Sequence, residues 1–315
     1  MFVVRCLGVS LAFFLLLYSA SSAMVMGAWS RVRRTASRWS ARHVAELLFA
    51  MRGLPFVVAA VITVIFVVPS FVLLEPRVVA EPVGEIPLTL GAVCLLLFGI
   101  GFGNAIAAQV RTSRTVSGWL RGARSSSGCG SVPLYRIQPS SPALTVAGVR
   151  EPRVLLSDAA ATVLSSSELE AALKHEIAHV QRRDNLKKLL FRLCVFPGMS
   201  KLESAWSEAS EMAADDAAVG SPREALDLAS ALIKLSRFAP VQSAVLTTGL
   251  VPSLSSSLNA RIARLLTWDE SRVLSGRRLL PWYLAPALGG GILCMVMTYS
   301  VALSRMHQLT EWLVR

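Results

Sequence analysis

Two histidines one helical turn apart, with an acid directly after the first, carry the clearest chemistry in this chain. Residues 174–179 read Lys-His-Glu-Ile-Ala-His. On a helix, residues four apart share a face, so His175 and His179 can present two imidazoles to one ion. Glu176 follows the first histidine and can reach a water activated by that ion, acting as its general base. Zinc suits two nitrogens and one carboxylate, with one position left open. The pattern takes two of the chain's four histidines. The bland alternative is a helix whose two histidines face solvent or lipid.

A third ligand is sought downstream. The run Glu208-Ala-Ser-Glu211-Met-Ala-Ala-Asp215-Asp216 reads as an alanine-rich helix. Glu211 and Asp215 are four apart and share a face. Glu211 is the expected third metal ligand. Asp215 is expected behind the site, accepting an N–H from a ligating histidine and so fixing its tautomer. Glu208, one turn earlier, is the reserve candidate. A solvated acidic stripe is the alternative.

These residues need elements to hold them. Ser165 and Glu168 form a capping-box pair, which predicts a helix start just ahead of the histidines. Leu169, Ala172, Leu173, Glu176 and Val180 keep helical spacing through the motif. Upstream, Tyr135–Ile137, Leu144–Val149 and Arg153–Leu156 are β-prone runs separated by Pro and Gly, predicting a small antiparallel sheet. Residues 122–133 read as a Gly/Ser linker before it. The soluble part is therefore α+β. Leu144, Thr145 and Val146 are candidates for holding substrate backbone by strand addition. Residues 186–197 are apolar, basic and too short to span. They read either as an interfacial helix with its lysines and Arg192 at headgroups, or as a core helix ended by Pro197-Gly198.

The rest of the chain is made for lipid. Of its 315 residues, 53% are hydrophobic. They concentrate in four blocks at about 7–29, 55–74, 88–110 and 280–304, each free of internal charge and long enough for a bilayer core of about 30 Å. Residues 27–54 hold six arginines against Glu46, and residues 111–124 hold four arginines and no acid. Short basic loops stay in the cytoplasm, which predicts three spans before a cytoplasmic domain and one after it. The first block could instead be a cleaved secretory signal, which would put the 27–54 arginines outside. Those loops supply nine of the twelve net positive charges, which points to topology and anionic lipid. No DNA-reading module is visible, so direct nucleic-acid binding is not expected. Gly99 and Gly103 in the third block offer a close helix approach that would turn Asn104 into the bundle. The five cysteines lack metal-ligand spacing and read as small apolar residues.

With these residues in place, the sequence resembles the BlaR/MecR family of membrane-embedded zinc peptidases, gluzincins with H-E-x-x-H and a downstream glutamate ligand. The resemblance rests on residues 142–148 and 152–156 as the family's strands, on residues 164–185 through Arg182-Arg183-Asp184-Asn185, on Glu211-Met-Ala-Ala-Asp215, and on Leu258 to Leu266 with Arg261-Ile262. It implies His175, His179 and Glu211 as Zn2+ ligands and Glu176 as catalytic base. The implied architecture is an α-helical membrane bundle over 1–124, a cytoplasmic α+β gluzincin-like metallopeptidase domain over 125–279, a fourth span over 280–304 and a short extracellular tail over 305–315. The implied setting is the bacterial cytoplasmic membrane.

The implied activity is peptide-bond hydrolysis in regulated signalling, such as cleavage of a cytoplasmic repressor. Sensors of this family carry a large extracellular penicillin-binding domain after the last span, where here only 305–315 follow. The signal is then expected from a separate partner, from the bilayer or from the 75–87 loop. Two other readings remain open: a membrane protease of the prenyl-protein or quality-control type, and a non-catalytic signalling scaffold. Substrate, signal, oligomeric state, the oxyanion donor and any activating autocleavage are not legible in the sequence.

Overall fold

The computed structural model describes residues 2–36, 39–75, 84–129, 132–138, 143–238, 247–249, 255–269 and 298–311. Its first part is three long rods. Helix α1 covers Phe2–Ala36. Helix α2 covers Ala41–Ile62 and starts at Ser40, whose side chain accepts the His43 N–H. It runs through a π turn at Thr63–Val67 into α3, Val68–Leu74. Helix α4 covers Glu85–Leu120. Each rod is long and apolar enough to cross a membrane. Val57, Val61, Leu95, Leu96, Phe102 and Ile106 lie on their exposed faces, an apolar surface that calls for lipid.

The rods outrun the apolar blocks, so the basic residues ride on helix rather than loop. Arg33 and Arg34 lie in the last turn of α1, and Arg111 and Arg114 on the extension of α4. Arg52 is 2% exposed inside α2.

The buried face of α4 runs through Gly91, Cys94, Gly101 and Ala108. A Cβ at Gly91 would stand 3.2 Å from the Gly8 carbonyl oxygen of α1. A Cβ at Gly101 would collide with the carbonyl of Leu193. Among the described residues the close approach is therefore not at Gly99 and Gly103, which have nothing within 4 Å, and Asn104 is exposed. Residues two apart on a helix point about 200° apart, so glycines flanking Gly101 face away from it.

The second part carries a mixed sheet of order β1-β2-β4-β3-β5. Its strands are β1 Arg124–Cys129, β2 Val132–Ile137, β3 Leu144–Ala147, β4 Arg153–Ser157 and β5 Thr247–Gly249. Strands β1 and β2 are antiparallel, and so are β3 and β4, but β2 and β4 are parallel with Leu134 opposite Val154. The sheet is thus not purely antiparallel. The chain passes from β2 to the far side of β4 to make β3, then returns beside β2. The expected 122–133 linker contains β1: an edge strand needs only its backbone to pair, which Ser and Gly permit.

Helices follow as α5 Asp158–Val163, α6 Ser166–Gln181, α7 Asp184–Leu193, α8 Ser200–Ala218, α9 Pro222–Ser236 and α10 Ser255–Leu266. The core packs Leu144, Val146, Val154 and Leu156 of the sheet against Ala172 of α6 and Leu228 and Leu232 of α9. The capping box at the head of α6 is present. The Ser165 N–H donates to Glu168 Oε2 at 2.7 Å, and Glu168 also takes Ser230 and Lys234 from α9.

Helix α7 packs into the core. Lys187 pairs with Glu46 of α2 at 2.7 Å, and Phe191 packs edge-on to Trp206 of α8. The connection after it, residues 194–199, is gripped by the rods. Tyr18 donates to the Val195 carbonyl at 3.3 Å and meets Phe196 edge-on. Arg52 donates to the carbonyls of Phe191 and Cys194 and pairs with Glu203 of α8 at 3.0 Å.

Residues 298–311 are helical. Most of the expected fourth span, residues 280–297, lies outside the described residues, and the expected tail continues the helix to residue 311. Tyr299 donates to the Ile65 carbonyl at 3.0 Å. Pro69 lacks the N–H that would otherwise take that carbonyl, so Tyr299 satisfies a group orphaned by proline.

Candidate metal centre

Helix α6 brings His175 and His179 onto one buried face, both at most 2% exposed. Their Nε2 atoms stand 3.1 Å apart. Helix α8 crosses opposite and delivers Glu211. His175 Nε2 is 3.5 Å from Glu211 Oε2, and His179 Nε2 is 3.5 Å from Glu211 Oε1. One donor atom from each of the three residues falls within 4.8 Å of the others.

The far side of each ring is tied down. His175 Nδ1 stands 3.0 Å from Asp215 Oδ1, where the spacing of Glu211 and Asp215 placed it. His179 Nδ1 stands 2.7 Å from Asp184 Oδ2, and that oxygen also accepts from Ser210 at 2.7 Å. Asp184 was quoted in the Arg-Arg-Asp-Asn run without a role. Its position nine residues after His175 hides it, because a turn intervenes. Arg183 adopts a left-handed φ of 53°, which ends one helix and starts the next so that Asp184 swings back under His179. Asn185 then donates to the carbonyls of Val146 (3.4 Å) and Gly148 (3.1 Å), pinning β3 beside the site.

Arg261 of α10 is the other residue whose role the sequence did not reveal. It is 1% exposed and lies against both acids, at 2.6 Å from Asp215 and 3.0 Å from Glu211. Glu208, the reserve ligand, is exposed and outside the group.

The buried acids, imidazoles and guanidinium shift one another's protonation. Burial raises the Glu211 carboxyl pKa, but His179 and Arg261 outweigh it and hold it down at about 2. Burial raises Asp215 as well, yet Arg261 and His175 carry it well below the usual range. Burial lowers His175, but Asp215 and Glu211 win and lift it to about 9. Burial lowers His179, and its acidic neighbours do not make up the difference. The buried acids thus keep their charge beside the imidazoles and the Arg261 guanidinium.

Glu176 is fully buried, and among the described residues neither of its carboxylate oxygens has a hydrogen-bond partner. Burial pushes its pKa up to about 8. Lys188, one turn past Asp184, lies within the field of Glu211, Asp184 and Glu176, although burial lowers its pKa overall. The donor set, the orphaned carboxyl and the anchored rings all fit a zinc ion.

Leu144, Thr145 and Val146 are buried, and β3 is not a free edge: β5 pairs along it with Val146 opposite Thr248. A cleft of 640 Å³ opens beside the centre, reaching Val146, Gly148, His179, Asp184 and Leu189.

No curated protein and no solved structure matches the chain. Residues 135–265 match the family model described as BlaR1 peptidase M56. That stretch starts in β2, contains both histidines, Glu176, Glu211 and Asp215, and ends with Leu265 in α10 just past Arg261. Over residues 135–265, then, the chain carries a match to a BlaR1 peptidase M56 domain, and three helices able to cross a membrane precede it.

Proposed function

We propose that this chain is a membrane-bound zinc endopeptidase whose site comprises His175, His179 and Glu211 as ligands and Glu176 as base. The observation that carries it is the convergence of three donor atoms within 4.8 Å beside a buried carboxyl with no partner. Zinc at this point would supply Lewis acidity to the scissile carbonyl and would acidify a water. Glu176 takes the proton of the attacking water on its carboxylate and returns it to the leaving amine. Asp215 and Asp184 hold the rings of His175 and His179 with Nε2 facing inward, and Arg261 keeps Glu211 and Asp215 in place.

The substrate is a protein or peptide, as the family implies. It binds as an extended segment along β3 once β5 is displaced from that edge. The backbone of Leu144, Thr145 and Val146 then supplies the ladder, and the cleft beside Gly148 and Leu189 receives a side chain. With the basic helix ends kept on the cytoplasmic side, the peptidase domain faces the cytoplasm of a bacterial cell. A cytoplasmic repressor cleaved in response to a signal from a partner or from the bilayer fits that placement.

The test is Glu176→Gln in the full-length chain. The variant retains its zinc and loses cleavage of a protein that accumulates uncut in cells carrying it. Wild-type turnover in the variant would refute the assignment.

A further inference from the structure

We propose that this chain selects peptides by an aspartate or glutamate beside the scissile bond, held between Arg150 and Arg183 in the cleft at the metal centre. The inference rests on the peptidase reading and names the substrate class that this reading leaves open.

The 640 Å³ cleft lies between the turn that joins β3 to β4 and the junction of α6 with α7. His179 lines it, so whatever fills it lies against the candidate metal centre. Val146 and Gly148 line it too, so a peptide laid along β3 brings side chains to it. Each side of the cleft carries one exposed arginine, Arg150 on the turn and Arg183 on the junction. Among the described residues no acid pairs with either guanidinium. The acids at hand are engaged elsewhere. Glu151 pairs with Arg153 at 3.2 Å, and buried Asp184 serves His179 and Ser210, each at 2.7 Å. Val149, Leu186 and Leu189 complete an apolar lining. Two uncompensated positive charges beside apolar side chains suit a carboxylate on a short methylene stem. Guanidinium matches a carboxylate with paired, charge-assisted hydrogen bonds.

The backbone singles out Arg183. Its φ of 53° makes it the one non-glycine residue in the left-handed region among the described residues. The turn under His179 needs that conformation but not an arginine, because glycine adopts it without steric cost. Arg182, its neighbour, works inside the fold and donates to the Ser210 carbonyl at 2.9 Å. Arg183 has no such internal use and lines the cleft instead. The turn accounts for its conformation, and the cleft accounts for its charge.

The experiment uses the full-length, zinc-loaded chain in phosphatidylcholine nanodiscs and a synthetic library of randomised peptides, with cut sites read by mass spectrometry. The expected result is enrichment of aspartate and glutamate at one position beside the cut. Matched peptides with Glu or Gln at that position then differ in kcat/KM by at least about tenfold. Arg183→Gly suits the left-handed turn and guards against misfolding; there the Glu-to-Gln ratio falls toward one. Arg150→Glu with Arg183→Glu turns the preference to lysine and arginine. Variants are compared at equal zinc content. A library cut with no acidic preference overturns the specificity and leaves the peptidase reading standing. So does a Glu-to-Gln ratio unchanged by Arg183→Gly, or one abolished by phosphatidylglycerol in the disc, which would assign the guanidiniums to lipid headgroups. A library left uncut by the wild type overturns the peptidase reading itself, and the specificity falls with it.

Discussion

Glu176 shows how much one buried carboxyl can decide. Its pKa stands at about 8 against an ordinary 4.5, because burial penalises the charge and no partner compensates. In the metal-free protein the native state keeps this proton up to about pH 8, whereas the unfolded chain releases it near 4.5. The native state is then progressively disfavoured as pH rises between those values. Metal-free Glu176→Gln should therefore unfold at a higher temperature than metal-free wild type at pH 8, with the gap closing toward pH 4.5; thermal scans at both ends check this. In the zinc-loaded protein the same substitution should lower peptide cleavage by about 10²–10⁴-fold with zinc content unchanged. The two aspartates behind the rings act on the metal instead. Asp184→Asn and Asp215→Asn should each weaken zinc binding by about 10–100-fold, measured by chelator competition. Equal affinity in Asp184→Asn would remove it from the site.

Between residue and molecule, the decisive element is the connection of α7 to α8. Helix α7 begins at Asp184 and α8 carries Glu211 and Asp215, so the 194–199 connection links two sides of the metal centre. The rods hold it through Arg52, Tyr18 and the close face of Gly101. Gly101→Ala should force α4 away from the Leu193 carbonyl and cost about 1–3 kcal/mol. Gly103→Ala, on the opposite face with open space around it, should stay within about 0.5 kcal/mol. Unfolding in matched detergent compares the pair, and equal effects would show that α4 does not pack on α7. Arg52→Met should leave the Cys194 carbonyl and Glu203 without their donor and expose the connection to limited proteolysis.

At the scale of the whole molecule, a bundle made for lipid and a peptidase domain share one interface, and metal should stabilise both together. Zinc at a hundredfold excess over its dissociation constant contributes about 2.7 kcal/mol to the native state. Chelation should therefore lower the unfolding temperature of the entire chain, and His175→Ala/His179→Ala should reduce that response. Unfolding that ignores chelator in the wild type would mean that no metal couples to the fold.

Much of this was legible from residue types alone. H-E-x-x-H, the capping box at Ser165 and the four-residue step from Glu211 to Asp215 are local patterns, and helix geometry turns local spacing into a shared face. Charge-free apolar runs likewise marked the three rods. Other features were not legible, because they depend on contacts between distant segments. Nothing in the spacing said that β2 and β4 run parallel, that β5 lies along β3, or that Gly101 rather than Gly99 or Gly103 meets another backbone. Asp184 reaches His179 only because Arg183 turns the chain back, and Arg261 closes on Glu211 and Asp215 from fifty residues away. The sequence by itself determined which groups could hold a metal. Only the tertiary structure decided which buried charges surround them, because burial and neighbouring charge are properties of the packed chain.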